Sequence, residues 1–185
     1  MKKLELASEI WSIENFWSRE MCEEFITKSE KIGYEQAKVD TDKGAIVVES
    51  VRNNNRILHN NLELAKLVWD SAKEFAPQSI GLSMAIGLNE LFRFYKYQPG
   101  QLFKRHSDQS FIRNQYEASY YTFMIYLNDG YQGGETRFEN VVVNPRQGCG
   151  LIFLHSLPHE GAEVTQGIKY VLRTDIMYRL PESAD

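Results

Sequence analysis

Hydrophobic residues recur with a helical period in two stretches of the first half of the chain. Between Ser18 and Ile32 they fall on one face, with Ser18 suited to cap the first turn and Gly33 to end the helix. A second apolar stripe runs from about Asn61 to Phe75, and Pro77 prevents its continuation. The pattern therefore predicts two helices ahead of the second half.

Short apolar runs replace the helical period after Asn89. They are rich in β-branched and aromatic residues and are separated by turn-forming Gly, Pro and Asn, which is typical of strands. We predict an α+β protein that is mainly β, a sandwich or barrel of short strands with the helices packed outside. The predicted strands are Phe92–Tyr97, Tyr120–Leu127, Gly150–His155 and Lys169–Tyr178, with earlier ones around Tyr34–Val39 and Ala45–Val51.

Composition narrows the class of protein. The chain has 185 residues, 43% of them hydrophobic and 25% charged, so we expect one domain over 1–185, in which residues 1–89 support a functional core at 90–180. A net charge of −4 argues against broad binding to nucleic acid or to an anionic membrane. The distant Cys22 and Cys149, with no long apolar run, favour a cytoplasmic protein without a disulfide framework.

The step His106-Ser107-Asp108 is the first candidate metal site. On an extended strand, residues two apart point to the same side, so the imidazole and the carboxylate can converge on one ion. A second histidine would complete a facial triad suited to non-haem Fe(II), leaving metal positions open. His155 ends an apolar run, as packed core histidines do, whereas His159 opens an extended segment after a turn and is the preferred third ligand. A solvated turn with a His–Asp hydrogen bond is the alternative.

Lys169 and Arg173 lie four residues apart on one face of the last predicted strand. Two cations on a partly buried face need an anionic partner, because an unpaired buried charge is costly. A bound dicarboxylate meets that need. The alternative is that Arg173 pairs with Asp175, or that one of the cations faces solvent.

Taken together, these residues resemble the Fe(II)- and 2-oxoglutarate-dependent oxygenases, in particular the prolyl 4-hydroxylase-like branch. The spacing from His159 to Lys169 matches that branch, and Tyr97-Gln98-Pro99-Gly100 stands where the family has a Tyr and a Gly-containing loop. Residues 122–129 and 133–138 resemble its central strand and its Gly-Gly-x-Thr turn. The resemblance covers about Phe92 to Tyr178.

The resemblance implies a double-stranded β-helix, or jelly roll, with N-terminal helices on the outside. It implies that Fe(II) is bound by the catalytic residues His106, Asp108 and His159, and that Lys169 binds the distal carboxylate of 2-oxoglutarate. Further co-substrate residues are implied at Tyr97, Tyr126 and Arg173, although the family often has a smaller residue at the last position. Dioxygen is the second co-substrate, and ascorbate is the expected reductant.

The implied reaction couples oxidative decarboxylation of 2-oxoglutarate to hydroxylation of a substrate, for which a prolyl or other peptidyl residue is the first expectation. A free amino acid or another small molecule is an alternative substrate. Two other classes also stay open, namely a jelly-roll binding module without catalysis and a cupin-like metal enzyme that needs no oxo acid. Arg52 and Arg56 are the candidate substrate residues, with a solvated loop as the alternative, and residues 108–117 are a candidate lid.

Overall fold

The computed structural model describes residues 1–37, 39–41, 44–46, 48 and 51–181. Its helices are α1 (Arg19–Ile32) and α2 (Leu62–Ala72). Its strands in the first half are β1 (Lys2–Ala7), β2 (Ile10–Glu14), β3 (Glu35–Gln36), β4 (Val39–Thr41), β5 (Gly44–Ile46), β6 (Asn55–Asn60), β7 (Ser79–Ile80), β8 (Ser83–Leu88) and β9 (Leu91–Tyr97). Those in the second half are β10 (Phe103–His106), β11 (Glu117–Tyr126), β12 (Gln132–Gly133), β13 (Thr136–Arg137), β14 (Val142–Val143), β15 (Gly150–Leu154), β16 (His159–Gly161), β17 (Val164–Gln166) and β18 (Lys169–Arg179).

Both predicted helices are confirmed, together with the predicted caps of α1. The Ser18 hydroxyl accepts a hydrogen bond from the Met21 backbone N–H at 3.2 Å, and Gly33 ends α1 with a positive φ of 90°. The Asn61 side chain caps α2 in the same way. Helix α2 ends at Ala72, three residues earlier than predicted. No helix in the described ranges is long and apolar enough to cross a membrane.

Two antiparallel sheets carry the fold. The larger follows the order β1-β2-β15-β11-β18-β9-β6-β3, with β8 also pairing with β18 and β7 pairing with β8. The smaller follows the order β10-β16-β13-β14. All four strands predicted in the second half are present, and the mainly β class with two helices is confirmed. Two-stranded pairs β12-β17 and β4-β5 complete the topology.

Strand β18 separates two hydrophobic clusters by alternation. Leu172 and Ile176 belong to a cluster that includes buried residues of α2, so this face of the sheet carries the helices. Val171 belongs to the other cluster, which includes Phe138 and Val143 from the region of the smaller sheet. Residues at odd numbers near the start of β18 therefore face the space between the two sheets.

The N-terminal hairpin β1-β2 was not predicted. Strand β1 is largely exposed and pairs along the edge of the larger sheet, so its sequence lacks the apolar signal of a buried strand. Strand β6 was also missed, because its polar residues had indicated only a loop. The predictions at 34–39 and 45–51 correspond in part to β3, β4 and β5. Residues 38, 47, 49 and 50 lie outside the described residues.

Candidate metal and co-substrate site

Three of the predicted site residues meet where strands β10 and β16 pair. His106 ends β10, His159 begins β16, and the two are direct cross-strand partners. Asp108 follows two residues later, and its side chain lies between them, with its oxygens 3.7 Å from each Nε2 atom. One candidate ligand atom from each residue lies within 4.8 Å of the other two. The structure thus brings together His106, Asp108 and His159.

The path of the chain through this cluster differs from the prediction. Strand β10 ends at His106, so Asp108 does not share a regular strand with it. Instead the Asp108 backbone N–H donates to the His155 carbonyl at 2.9 Å. Its carboxylate accepts a hydrogen bond from the Thr122 hydroxyl at 2.5 Å. Convergence therefore comes from contacts to β11 and to the residue after β15, which strand periodicity does not reveal.

Both imidazoles are oriented by the nitrogen that faces away from the cluster. His106 Nδ1 lies 2.7 Å from the Lys104 carbonyl, and His159 Nδ1 lies 2.9 Å from the Leu157 carbonyl. Since a carbonyl only accepts, each Nδ1 carries the proton and each Nε2 presents a lone pair to the site. This arrangement is typical of histidines that ligate metals.

The protonation states also suit a divalent metal. Burial lowers the pKa of His159 to about 4, so this imidazole is neutral at physiological pH. Burial opposes ionisation of Asp108, but the adjacent Arg173 guanidinium and the two histidines hold the pKa of Asp108 well below its usual range. Two imidazole nitrogens and one carboxylate match the donor set of a non-haem Fe(II) facial triad. The residues present therefore fit this metal.

Lys169 occupies the same cavity as the triad. The residue is only 2% exposed, and its ammonium donates to the Gly134 carbonyl at 2.6 Å. Its nitrogen lies 5.1 Å from the ring centroid of Tyr97 and 5.6 Å from that of Tyr126. Burial lowers the pKa of Lys169 to about 7, which Glu135 opposes only in part. An anion in this cavity would compensate the buried charge.

A phenol that the sequence did not single out, that of Tyr131, lies near Lys169. The Tyr131 hydroxyl is buried and has no hydrogen-bond partner in the part of the chain that the structure describes. Its ring and the Lys169 side chain both pack against Gly134, where an added Cβ would lie 3.0 Å from Tyr131 and 3.2 Å from Lys169. The Tyr126 hydroxyl is already paired with Thr136 at 2.7 Å. A buried unpaired donor beside a lysine fits an incoming carboxylate.

Arg173 lines the same cavity but contacts the metal-site carboxylate. One of its guanidinium nitrogens, Nη2, lies 3.0 Å from Asp108 and 3.1 Å from Asp175. Asp175 in turn pairs with Arg93 at 3.1 Å, and the His155 imidazole lies 3.5 Å away. The pairing of Arg173 with Asp175 that the sequence left open is therefore present. His155 stands behind the triad, outside the group of candidate ligands.

The two candidate substrate residues lie on either side of the start of β6. Arg52 is only 5% exposed, which excludes the solvated-loop interpretation for this residue. Arg56 lies in β6, and both arginines line a second cavity that borders His106, Asp108 and Arg173. The proposed lid at 108–117 is tied to the rest of the fold, because Arg113 pairs with Glu90 at 2.7 Å.

Comparisons with known proteins agree with this geometry. Residues 92–174, a little under half of the chain, match the family model described as the 2OG-Fe(II) oxygenase superfamily. No curated protein sequence matches the chain.

Several solved structures share the fold. A viral collagen prolyl hydroxylase from Paramecium Bursaria Chlorella virus-1 is 20% identical, with 92% of this chain and 96% of that chain covered and a TM-score of 0.64. A Trichoplax adhaerens prolyl hydroxylase in complex with a hypoxia inducible factor peptide fragment is 18% identical, with 91% and 83% covered and a TM-score of 0.71. A Pseudomonas putida prolyl-4-hydroxylase is 19% identical, with 91% and 92% covered and a TM-score of 0.66.

The fold and the site together define a jelly-roll protein with a two-histidine, one-carboxylate centre. The family model matches the part of the chain that holds this centre, residues 92–174, and the fold of the chain is similar to that of the prolyl hydroxylases.

The donor set predicts how metal affinity responds to substitution. We expect His159→Ala to weaken Mn(II) binding by at least about 100-fold, since losing a direct ligand should exceed the 10- to 100-fold cost of losing a supporting contact. Isothermal titration calorimetry under anaerobic conditions measures the affinity for Mn(II). The matched control is His59→Ala, a histidine of β6 outside the cluster. Equal affinities of the His159→Ala variant and the unaltered protein would exclude this residue as a ligand.

Proposed function

We propose that this protein is an Fe(II)- and 2-oxoglutarate-dependent hydroxylase in which His106, Asp108 and His159 bind the iron and Lys169 binds 2-oxoglutarate. The observation that carries the proposal is the placement of two imidazoles, one ionised carboxylate and one buried lysine around a single cavity. A binding module without catalysis has no need for a lysine buried beside the three ligands.

Bound iron would supply the activation of dioxygen. In the overall reaction 2-oxoglutarate becomes succinate and carbon dioxide, and one atom of dioxygen enters succinate while the other enters the hydroxylated substrate. The protein supplies binding, orientation and charge balance. Three aromatic rings pack against the two imidazoles. Phe103 stacks on His106 with 3.5 Å between ring centroids, and the centroids of Phe153 and Phe138 lie 4.5 and 5.7 Å from that of His159. These contacts fix the orientation of the two imidazoles.

Lys169 is the proposed partner of the distal carboxylate of 2-oxoglutarate. Its ammonium has three donors, of which one binds the Gly134 carbonyl and the other two have no partner among the described residues. The Tyr131 hydroxyl is suited to donate a second hydrogen bond to that carboxylate. Tyr97 and Tyr126 surround the ammonium with their rings, and the Tyr126 hydroxyl forms a hydrogen bond with the Thr136 hydroxyl.

Arg173 is proposed to hold Asp108. Its contact with Asp108 at 3.0 Å keeps that carboxylate ionised and fixes its orientation. The Thr122 hydroxyl donates to the same carboxylate oxygen. Arg173 is in this account a positioning residue, and the earlier expectation that it shares the anion stays a prediction.

For the substrate we propose a prolyl or other peptidyl side chain, with a free amino acid as the second candidate. The Trichoplax protein of the same fold binds a peptide fragment, which supports the peptide. We also propose that the whole chain forms one domain and works in the cytoplasm with ascorbate as reductant. The two cysteines are free within the described residues, which agrees with a reducing compartment.

Turnover of 2-oxoglutarate tests the proposed activity. With Fe(II), ascorbate and dioxygen we expect succinate from the unaltered protein and a loss of at least about 100-fold in Asp108→Ala, because a metal ligand is removed. Mass spectrometry of added prolyl peptides detects the gain of one oxygen atom. The control His59→Ala should keep full turnover. Iron-loaded protein that forms no succinate would favour the binding module, and turnover of a substrate without any oxo acid would favour the cupin-like enzyme.

The pKa of Lys169 predicts the pH dependence of co-substrate binding. Below pH 7 the ammonium is charged and pairs with the carboxylate, whereas above pH 7 a neutral Lys169 must take up a proton on binding. We expect the affinity for 2-oxoglutarate to fall by up to about tenfold per pH unit between pH 7 and 9. Anaerobic titration of the Mn(II)-bound protein with 2-oxoglutarate at several pH values measures this affinity. In Lys169→Arg the charge persists, so the slope should vanish; equal slopes in both proteins would contradict the assignment.

A further inference from the structure

Arg52 is a buried cation beside the candidate metal site. It is 5% exposed, and both its Nε and Nη2 atoms donate to one oxygen, the side-chain carbonyl of Asn54, at 3.1 and 3.0 Å. The guanidinium carbon lies 4.1 Å from the ring centroid of Phe103 and 5.0 Å from that of Tyr95. Its polar partner is thus a neutral amide.

The neighbouring arginines differ from Arg52 in this respect. Arg93 pairs with Asp175, and Arg173 pairs with both Asp175 and Asp108. Among the residues that the structure describes, Arg52 forms no ion pair. A buried charge without a counter-charge is costly, whereas an anion brought by a ligand would offset that cost.

The electrostatic environment of Tyr95 points the same way. Burial alone raises the pKa of this phenol, yet the guanidiniums of Arg173, Arg52 and Arg93 outweigh burial and lower the pKa of Tyr95. Three cations therefore act on one buried hydroxyl, even with Asp108 and Asp175 in place. The cavity next to the triad has an excess of positive charge.

That cavity, the arginine vestibule, opens directly onto the metal site. Phe103 links the two, because Arg52 stacks on its ring and so does the His106 imidazole, at 3.5 Å between centroids. Arg56 also lines the vestibule, but it already has an interaction partner. Arg52 is therefore the cation that we expect a ligand to neutralise. The lining of the arginine vestibule includes Arg52, Arg56, Arg93, Tyr95, Phe103 and Arg173.

We infer that the substrate carries a carboxylate, which binds Arg52 in the arginine vestibule while the C–H bond to be hydroxylated faces the triad. The inference rests on the proposed function, which assigns 2-oxoglutarate to Lys169, a residue of the other cavity. A guanidinium without an acidic partner among the described residues matches one carboxylate in charge, and its remaining nitrogen offers a charge-assisted hydrogen bond. The carboxylate is either the terminus of an amino acid or the side chain of an acidic residue in a peptide.

Binding of matched acid and amide probes tests the inference. The protein is first saturated with Mn(II) and 2-oxoglutarate under anaerobic conditions, and uptake of both is confirmed by calorimetry. N-acetyl-L-proline is then compared with N-acetyl-L-prolinamide, and the peptide Ac-Gly-Glu-Pro-Gly-NH2 with its Gln counterpart. We expect the acid of at least one pair to bind roughly 10- to 100-fold more tightly than its amide. The pair that discriminates identifies the source of the carboxylate.

Substitution of Arg52 separates recognition from packing. In Arg52→Gln the preference for the acid should disappear, and in Arg52→Lys part of it should return. Arg19→Gln, on the exposed surface of α1, is the matched control and should keep the full preference. A purely structural Arg52 would change stability and leave the ratio of acid to amide affinity unaltered.

Three results would overturn the inference: equal binding of acid and amide in both pairs, no measurable binding of either acid, or an unchanged ratio in Arg52→Gln. If Arg52→Gln does not fold, the comparison of acid with amide on the unaltered protein still decides. Failure of the proposed function is distinguishable, because it appears at the first step as a lack of Mn(II) or 2-oxoglutarate uptake.

Discussion

The ion pair between Asp108 and Arg173 is the interaction on which the rest of the site depends. A carboxylate this deeply buried would be protonated without a counter-charge, and a protonated Asp108 is a poor metal ligand. Arg173 supplies the charge and is itself held by Asp175, which Arg93 supports on its other side. The metal-site carboxylate is therefore one end of a network of alternating charges. In this network each charge offsets the desolvation cost of its neighbour.

One strand delivers most of this network. Along β18, Lys169, Val171 and Arg173 face the cavity between the sheets, while Leu172 and Ile176 pack on the helix side. Lys169 is the proposed partner of the co-substrate, and Arg173 pairs with Asp108. The two cations lie four residues apart on one face of the strand and have different roles. The hydrophobic positions between them keep the strand central in the larger sheet, paired with β11 and β9.

The helices and the main strands could be predicted from local periodicity, and the convergence of His106, Asp108 and His159 from motif spacing and the resemblance to a known family. It did not indicate that Asp108 is held by Thr122 and Arg173, since those contacts depend on the register of strands far apart in the chain. The burial of Arg52 was equally hidden, because its aromatic neighbours Tyr95 and Phe103 lie more than forty residues away. The same holds for Tyr131, whose importance depends on its packing beside Lys169.

The most direct test of the central claim is the visible charge-transfer absorption that forms when a 2-oxo acid chelates Fe(II). Protein with Fe(II) is titrated anaerobically with 2-oxoglutarate, and Arg173→Met is compared with the unaltered chain. We expect a saturable charge-transfer band in the unaltered protein. In Arg173→Met we expect a weakened or shifted band, because Asp108 has lost its counter-charge. Folded, iron-loaded protein that develops no band would contradict the account.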